Sequence, residues 1–415
     1  MNDTTVTRRA LLGGAAGGLV AAGAGVPARA QAPQEVKIAL LVPLSGAWGR
    51  FGVTMREGAD LAVSHINAQG GVAALGGAKL RLLVFDAGDS AEKAKEAAQR
   101  MVADQPDLVA ASGAYLSTFT LAATEVTERA ELPVLTLSYS DLITSRGFRY
   151  VFQTSSRGDD QARGSIPALM RLAERASGKR PQTVGIVTDN TGASISFVKP
   201  LRESNGEAFG LKIVVNETFT PPLADATQLV QKVRAARPDL LIMPVTVISD
   251  AKQLVEKMNE FGIGHGRVPT VASGIAIADV DMLKNMNPAL LEGLMTVVAN
   301  WDAKGEEAII AEFRKQTGEP WMTQNGISTY GDIWIIKAAL ERSGKAERHA
   351  VADALRALDI ADGPALYYPG HRIKFDGSGL RENAGLVIVQ WQHGVPVTVY
   401  PPELAVAPPF WVKHA

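Results

Sequence analysis

Val36-Lys37-Ile38-Ala39-Leu40-Leu41-Val42-Pro43-Leu44-Ser45-Gly46-Ala47-Trp48-Gly49-Arg50-Phe51-Gly52 is the stretch that decides the fold class. Its first seven residues form a short apolar run stopped by Pro43, the look of a strand buried on both faces of a parallel sheet. A glycine-punctuated loop over 45–52 follows. Met55, Ala59, Ala62, Val63 and Ile66 then recur at helical spacing. Asn67-Ala68-Gln69-Gly70-Gly71 ends that helix, with glycine as the C-terminal cap. Strand, loop and helix in this order make one unit of an α/β sheet.

The unit recurs along the chain. The pattern predicts strands over 80–86, 108–111 and 133–137, and helices over 91–103 and 117–130. After a break it predicts strands over 183–188, 211–217, 240–243 and 268–272, with helices over 194–208, 226–236 and 250–261. Two such units in tandem imply two Rossmann-like lobes with parallel sheets and a cleft between them. The chain is expected to cross first between lobes around 157–163. Ligands of such sheets sit beyond the carboxyl ends of the strands, which singles out the loops 45–52, 112–117, 138–141, 189–192 and 273–275.

The N-terminus reads as an export signal. Thr7-Arg8-Arg9-Ala10-Leu11-Leu12 leads into a glycine- and alanine-rich apolar run over 13–26, and Ala28-Arg29-Ala30 offers a small-x-small cleavage site. The run is too short and too rich in glycine to span ~30 Å of hydrocarbon. Residues 1–30 are therefore expected to be a cleaved twin-arginine-type signal, and the mature chain to work in the periplasm. Composition narrows the class. With 42 basic and 43 acidic residues, well mixed, there is no electrostatic footprint for nucleic acid or an anionic membrane. Cysteine is absent, which excludes disulfides, a thiolate metal site, a cysteine nucleophile and a lipid-anchored cysteine.

Catalytic patterns are missing. Gly326-Ile327-Ser328-Thr329-Tyr330-Gly331 misses a nucleophile elbow by one residue. The six histidines lie far apart in sequence, without metal-ligand spacing. Gly262-Ile263-Gly264-His265-Gly266 follows a helix rather than opening one, so it is a loop and not a dinucleotide fingerprint. Asp86, Asp89 and Asp141 could act as acid or base, but isolated aspartates usually bond nearby backbone amides in turns and caps. Binding without catalysis, cofactor or metal is the economical expectation.

Several loops together resemble one family. Ser45-Gly46 followed by Phe51-Gly52, then Ile66-Asn67-Ala68-Gln69-Gly70-Gly71, is similar to the leucine/isoleucine/valine-binding proteins of periplasmic ABC importers. Gly113 with Ser117-Thr118, and Ser138-Tyr139-Ser140, look like that family's two ligand loops in the first lobe. Arg146-Gly147, Phe375-Asp376 with Gly379, and Val389-Gln390-Trp391 follow in the family's order. The resemblance implies a type I periplasmic binding protein: two lobes joined by a three-strand hinge, closing on a small solute. It places the first lobe at 35–157 plus 299–378 and the second at 158–298 plus 379–415. It also implies a monomer that hands its solute to a membrane permease.

The resemblance carries over residue by residue. Phe51 falls where the family sets an aromatic ring against the ligand side chain. Ser117 falls where a hydroxyl holds the ligand carboxylate, and a helix opening there would favour an anion; it can equally be a plain N-cap. Ser140 matches the loop whose backbone carbonyl accepts from the ligand ammonium. The second lobe departs from the pattern. Thr191-Gly192 stands where the family has Tyr-Gly, Val247 where it has a tyrosine, and Ser273 where it has the glutamate that pairs with the ligand ammonium. Each hydrogen bond to a charged group contributes about 1.5–3 kcal/mol, so that replacement would weaken an amino acid by roughly one to two decades. Asp141 or Asp250 could restore the charge, although Asp250 can also cap the helix that begins there. Gly88 and Leu116 occupy the places of two bridging cysteines found in some members. Trp48, Phe51, Tyr115, Tyr139 and Trp301 lie on or near the cleft loops, and about two of the five are expected to touch solute.

The expected function is that of a solute-binding protein carrying a small carboxylate-bearing solute, an amino acid first. An aromatic acid, keto acid or amide is the alternative within that class, and a periplasmic ligand sensor is the alternative outside it. The tail ending Pro408-Pro409-Phe410-Trp411 has no counterpart in the family pattern and is read as a brace for the second lobe.

Overall fold

The computed structural model describes residues 35–411. The segment read as an export signal lies outside them. β1 (Glu35–Val42) is buried along nearly its whole length. It pairs in parallel with β2 (Lys79–Asp86) on one side and β3 (Ala110–Gly113) on the other. β4 (Val134–Thr136) and β5 (Val151–Gln153) complete a five-stranded parallel sheet in the order β2-β1-β3-β4-β5. A central parallel strand is covered on both faces, which is why its sequence is a continuous apolar run.

Helices α1 (Gly49–Ala68), α2 (Ala91–Asp104) and α3 (Ser117–Arg129) make the crossovers. α1 begins at Gly49, so half of the expected loop 45–52 is helical. Glycine here serves close approach rather than a turn. A Cβ on Gly52 would stand 1.7 Å from the Pro43 carbonyl oxygen, so only glycine lets the helix run against the end of β1.

The second sheet has seven strands in the order β14-β13-β10-β9-β8-β6-β7. Its parallel part is β6 (Thr183–Asp189), β7 (Lys212–Phe219), β8 (Leu240–Ile242), β9 (Thr270–Ser273) and β10 (Met295–Val298). β13 (Val387–Gln392) and β14 (Val395–Tyr400) add antiparallel strands at one edge. Helices α4 (Gly158–Ser177), α5 (Gly192–Glu203), α6 (Thr227–Ala236) and α7 (Ile248–Glu260) flank this sheet. Asp250 is therefore in the first turn of α7 rather than its cap, which is Val247.

The chain passes between the two sheets three times. It leaves β5 over 154–157 and returns over 299–306 after β10. There α8 (Glu307–Thr317) and α9 (Gln324–Ser343) pack against α1, α10 (Arg348–Arg356) packs against α9, and a small antiparallel pair follows, β11 (Asp359–Ile360) with β12 (Ile373–Lys374). α9 is buried almost all round, and a Cβ on Gly58 would come 2.1 Å from the Gly326 carbonyl oxygen. The third passage falls over 382–386, a few residues beyond the expected 378/379 boundary. Gln153 N of β5 donates to Gly379 O at 2.8 Å, and Arg381 N donates to Gln153 O at 2.9 Å.

First and third passages are stitched together. Arg381, only 1 % exposed, donates from Nε to Thr154 O at 2.6 Å and from Nη1 to Pro369 O and Arg372 O at 3.2 and 3.1 Å. Burial pulls its guanidinium down to about 10. The tail closes on the second sheet: the Gln390 side chain bonds both N–H and C=O of Phe410, at 3.0 and 2.6 Å.

Candidate functional site

A cavity lies between the lobes, at the carboxyl ends of both parallel sheets. Its wall is Tyr115, Leu116, Leu137, Ser138 and Tyr139 from the first lobe, Ala193, Ser194, Thr246, Ser273, Gly274 and Ile275 from the second, and Gln324 and Asn325 from α9. Its volume is about 40 Å³, a few times the ~10–15 Å³ that one water requires. The lobes thus leave only a small space between them.

The lobes touch at the rim of this space. A Cβ on Gly192, at the start of α5, would lie 3.3 Å from Ser117 Cβ and 3.8 Å from Ser140 Cβ. Arg50 of α1 pairs with Glu319 at 2.5 Å and reaches across to Asp279 of the second lobe at 3.4 Å. On the opposite side Lys199 of α5 meets Asp141 at 2.5 Å.

Four helices begin at the cavity: α3, α5, α7 and α9. Their N-caps are Leu116, Thr191, Val247 and Thr323, and none makes a side-chain cap hydrogen bond. Leucine and valine have no acceptor to offer. The Thr191 hydroxyl is turned to Asp189 Oδ1 at 2.7 Å. The first-turn N–H groups of a helix need an acceptor, and the dipole makes that end positive. Converging uncapped ends offer N–H donors and positive dipole ends there without any cationic side chain.

No wall residue is acidic. Asp189 lies behind the wall, fully buried, with both oxygens engaged. Oδ1 accepts from Thr191 N and Oγ1, and Oδ2 from Thr246 N and Oγ1, at 2.7–3.0 Å. Gln324 adds a donor. Its Oε1 accepts from Ala299 N at 2.8 Å and from the Tyr139 hydroxyl, which fixes the amide orientation and leaves Nε2 to donate. Burial pushes the Tyr139 and Tyr115 hydroxyls above the ordinary phenol value, so both remain neutral.

Of the residues singled out in the sequence, Tyr115, Tyr139 and Ser273 stand on the wall. Ser117 and Thr191 flank wall residues without lining it. Ser117 Oγ accepts from Tyr139 N and Ser140 N at 3.2 and 3.1 Å, so its hydroxyl ties α3 to the neighbouring loop. Ser140 lies beside it, and its carbonyl accepts from Gln153 Nε2 at 3.4 Å. Thr118 sits in the first turn of α3, half-buried and off the wall. Asp141 is drawn away to Lys199, and Asp250 is buried in α7.

Three of the aromatic residues take other places. Phe51 is fully buried and stacks on Tyr115 with centroids 4.9 Å apart. Trp301 is fully buried in an apolar seam with Phe51, Trp321, Trp391 and Ile275. Trp48 packs edge-on against Phe119 at 5.5 Å. Tyr139, by contrast, is on the wall. No motif or spacing pointed to Thr246, Gln324 or Asn325, which also stand on the wall. Among the described residues no His, Asp and Glu side chains gather in a metal-ligating group.

Comparison with known proteins bears on this arrangement. A family model described as periplasmic binding protein matches residues 35–395. A Leu/Ile/Val-binding protein homolog 8 of Brucella melitensis is 28% identical over 382 residues, covering 90% of this chain and 92% of the relative. A homolog 7 of Brucella suis is 26% identical, covering 91% and 94%. Among solved structures, an ABC-transporter solute-binding protein from R. palustris in complex with benzoate superposes with a TM-score of 0.74 at 18% identity, covering 92% of this chain and 100% of that one. The branched-chain amino acid transporter substrate-binding protein LivJ of Streptococcus pneumoniae, in complex with isoleucine, gives 0.73 at 18%, covering 88% and 99%.

Proposed function

The chain belongs to the periplasmic binding protein family, and we propose that it carries a small carboxylate lacking an ammonium group to an ABC importer. The solute class is an aromatic or branched-chain keto acid. After export directed by residues 1–30, the unanchored monomer binds this acid between its lobes, leaves it chemically unchanged and presents it to the permease. The single observation that carries this reading is the imbalance of the cavity wall. Four uncapped helix ends and the Gln324 amide offer donors, while no carboxylate faces the space. An acid's carboxylate is satisfied there; an α-ammonium is left without an anionic partner, a deficit of about 1.5–3 kcal/mol for each hydrogen bond to charge.

The sequence alone puts an amino acid first, and the donor-rich wall supports the opposite order. Ser273 is on the wall where the resemblance sets a glutamate. The Ser140 carbonyl, the other acceptor implied, is not on the wall. Tyr115, Tyr139, Leu116, Leu137 and Ile275 supply an apolar and aromatic surround suited to a ring or a branched chain. Relatives solved with benzoate and with isoleucine agree with both classes being open to this fold.

An amino acid is the second reading, and Asn325 favours it. Asn325 is fully buried on the wall; its Nδ2 faces the Phe51 carbonyl at 3.3 Å and Oδ1 has no partner. A thermal-shift screen of ligand-stripped protein separates the two. It pairs each acid with its amino counterpart, leucine with 4-methyl-2-oxopentanoate, and includes benzoates. A ligand at 100 times its dissociation constant stabilises by about 2.7 kcal/mol. Shifts from the acids alone support the proposal, and shifts from the amino acids alone overturn it.

A further inference from the structure

A groove of about 1060 Å³ lies on the second lobe, at the end of the sheet opposite the solute cavity. It opens where α4, α6 and α7 end and β6, β8 and β9 begin. Lys179 and Arg180 follow α4, Arg234 and Arg237 close α6, and Arg267 follows α7. The whole chain has a net charge of −1, yet these five cations share the groove with one lining carboxylate, Asp239.

That carboxylate is occupied. Its Oδ2 accepts from Gln182 N and from Thr183 N and Oγ1 at 2.9–3.0 Å, and Lys179 reaches Oδ1 only at 3.8 Å. Arg180 is likewise 3.8 Å from Glu174. Arg234 stands over the Phe261 ring at 5.7 Å. Arg267 donates to the Gly262 carbonyl at 3.1 Å. Arg237 has no carboxylate partner among the described residues. Helix C-termini attract cations, but each end carries only about −0.5 charge. Three ends, Asp239 and Glu174 make about −3.5 against five positive charges, so an excess of about +1.5 is left among the described residues.

We propose that this groove binds a phosphate-bearing anion. Four of its five cations are arginines, whose planar forks match phosphate oxygens two at a time. The half-buried rings of Phe261 and Trp411 wall the groove and would cover the organic part of such an anion. The phosphate can come from a soluble compound or from a phospholipid headgroup. The site is independent of the solute cavity, so the two stand or fall separately.

The test uses the full mature chain and the double variant Arg234→Gln with Arg237→Asn, asparagine being tolerant of the left-handed backbone at 237 (φ 47). Calorimetry with inorganic pyrophosphate at low salt is paired with flotation on phosphatidylcholine vesicles, with and without phosphatidylglycerol. Binding to pyrophosphate, to phosphatidylglycerol vesicles or to both, weakened about tenfold or more in the variant and by added salt, supports the proposal. Pyrophosphate alone identifies a soluble source, and vesicles alone a headgroup. Absence of binding to both probes overturns it, as does equal binding by the variant. A ligand-free melting temperature equal to that of the wild type shows that the variant is folded.

Discussion

Gly192 sets how closely the lobes approach. Its Cβ position is already 3.3 Å from Ser117 Cβ, so the branched carbons of Gly192→Val cannot fit in the closed form. The residue is helical and its backbone accepts a side chain. Overpacking of this kind costs about 1–3 kcal/mol. Solute affinity is expected to fall about tenfold while the melting temperature of the ligand-free protein holds, which calorimetry and a thermal melt check together. Ser117→Ala has the opposite profile. It leaves two buried N–H groups without their acceptor, and a loss of about 1–3 kcal/mol in urea unfolding is expected. At this scale the sequence was only partly legible. Tyr115 and Ser273 follow strand ends, where the topology of a parallel sheet directs attention. Phe51 and Trp301 have the right chemistry, but the seam between the lobes takes them up. Gln324 and Asn325 reach the wall from a helix that returns to the first lobe late in the chain, and nothing local marks that return.

Elements were more readable, because parallel strands are short apolar runs and their helices have a clear period. β1, β2, α2, α3 and β6 begin and end within two or three residues of their expected bounds. α1 begins earlier than its apolar period suggests, because Gly49 and Gly52 resemble loop residues while Gly52 in fact packs against the Pro43 carbonyl. α9 is buried almost all round, with only Trp334, Lys337, Ala338 and the last turn partly exposed, so no clear amphipathic stripe announces it. The hinge depends on such an unannounced contact. Arg381 donates to Thr154 O of the first passage and to Pro369 O and Arg372 O just before β12, and it looks like an ordinary surface arginine in sequence. Arg381→Leu leaves those carbonyls short and is expected to cost about 3 kcal/mol or more. Equilibrium unfolding in guanidinium gives the value.

The whole molecule carries buried carboxylates that hold protons late. Burial pushes Glu306 up to about 8, Glu57 to about 7, and Asp302 and Asp332 to about 6. A carboxylate raised in the folded state binds its proton more tightly there than in the unfolded chain. Stability therefore falls as pH rises from about 4.5 toward about 8. Carboxylates lowered by surface ion pairs oppose this weakly, since solvent screens them. The melting temperature is expected to drop from mildly acidic to mildly alkaline buffer, and Glu306→Gln, which keeps the acceptor for Ala303 N, should flatten the upper part of that drop.

Closure of donor-rich helix ends around an acid is the larger claim, and Ser273 is its pivot. The most direct measurement is calorimetric titration of benzoate and of leucine into the ligand-stripped protein and its Ser273→Glu variant. The wild type is predicted to bind benzoate at least about tenfold more tightly than leucine, and the variant to reverse that order. Tighter binding of leucine by the wild type would show that the cavity already holds an ammonium partner, contradicting the account.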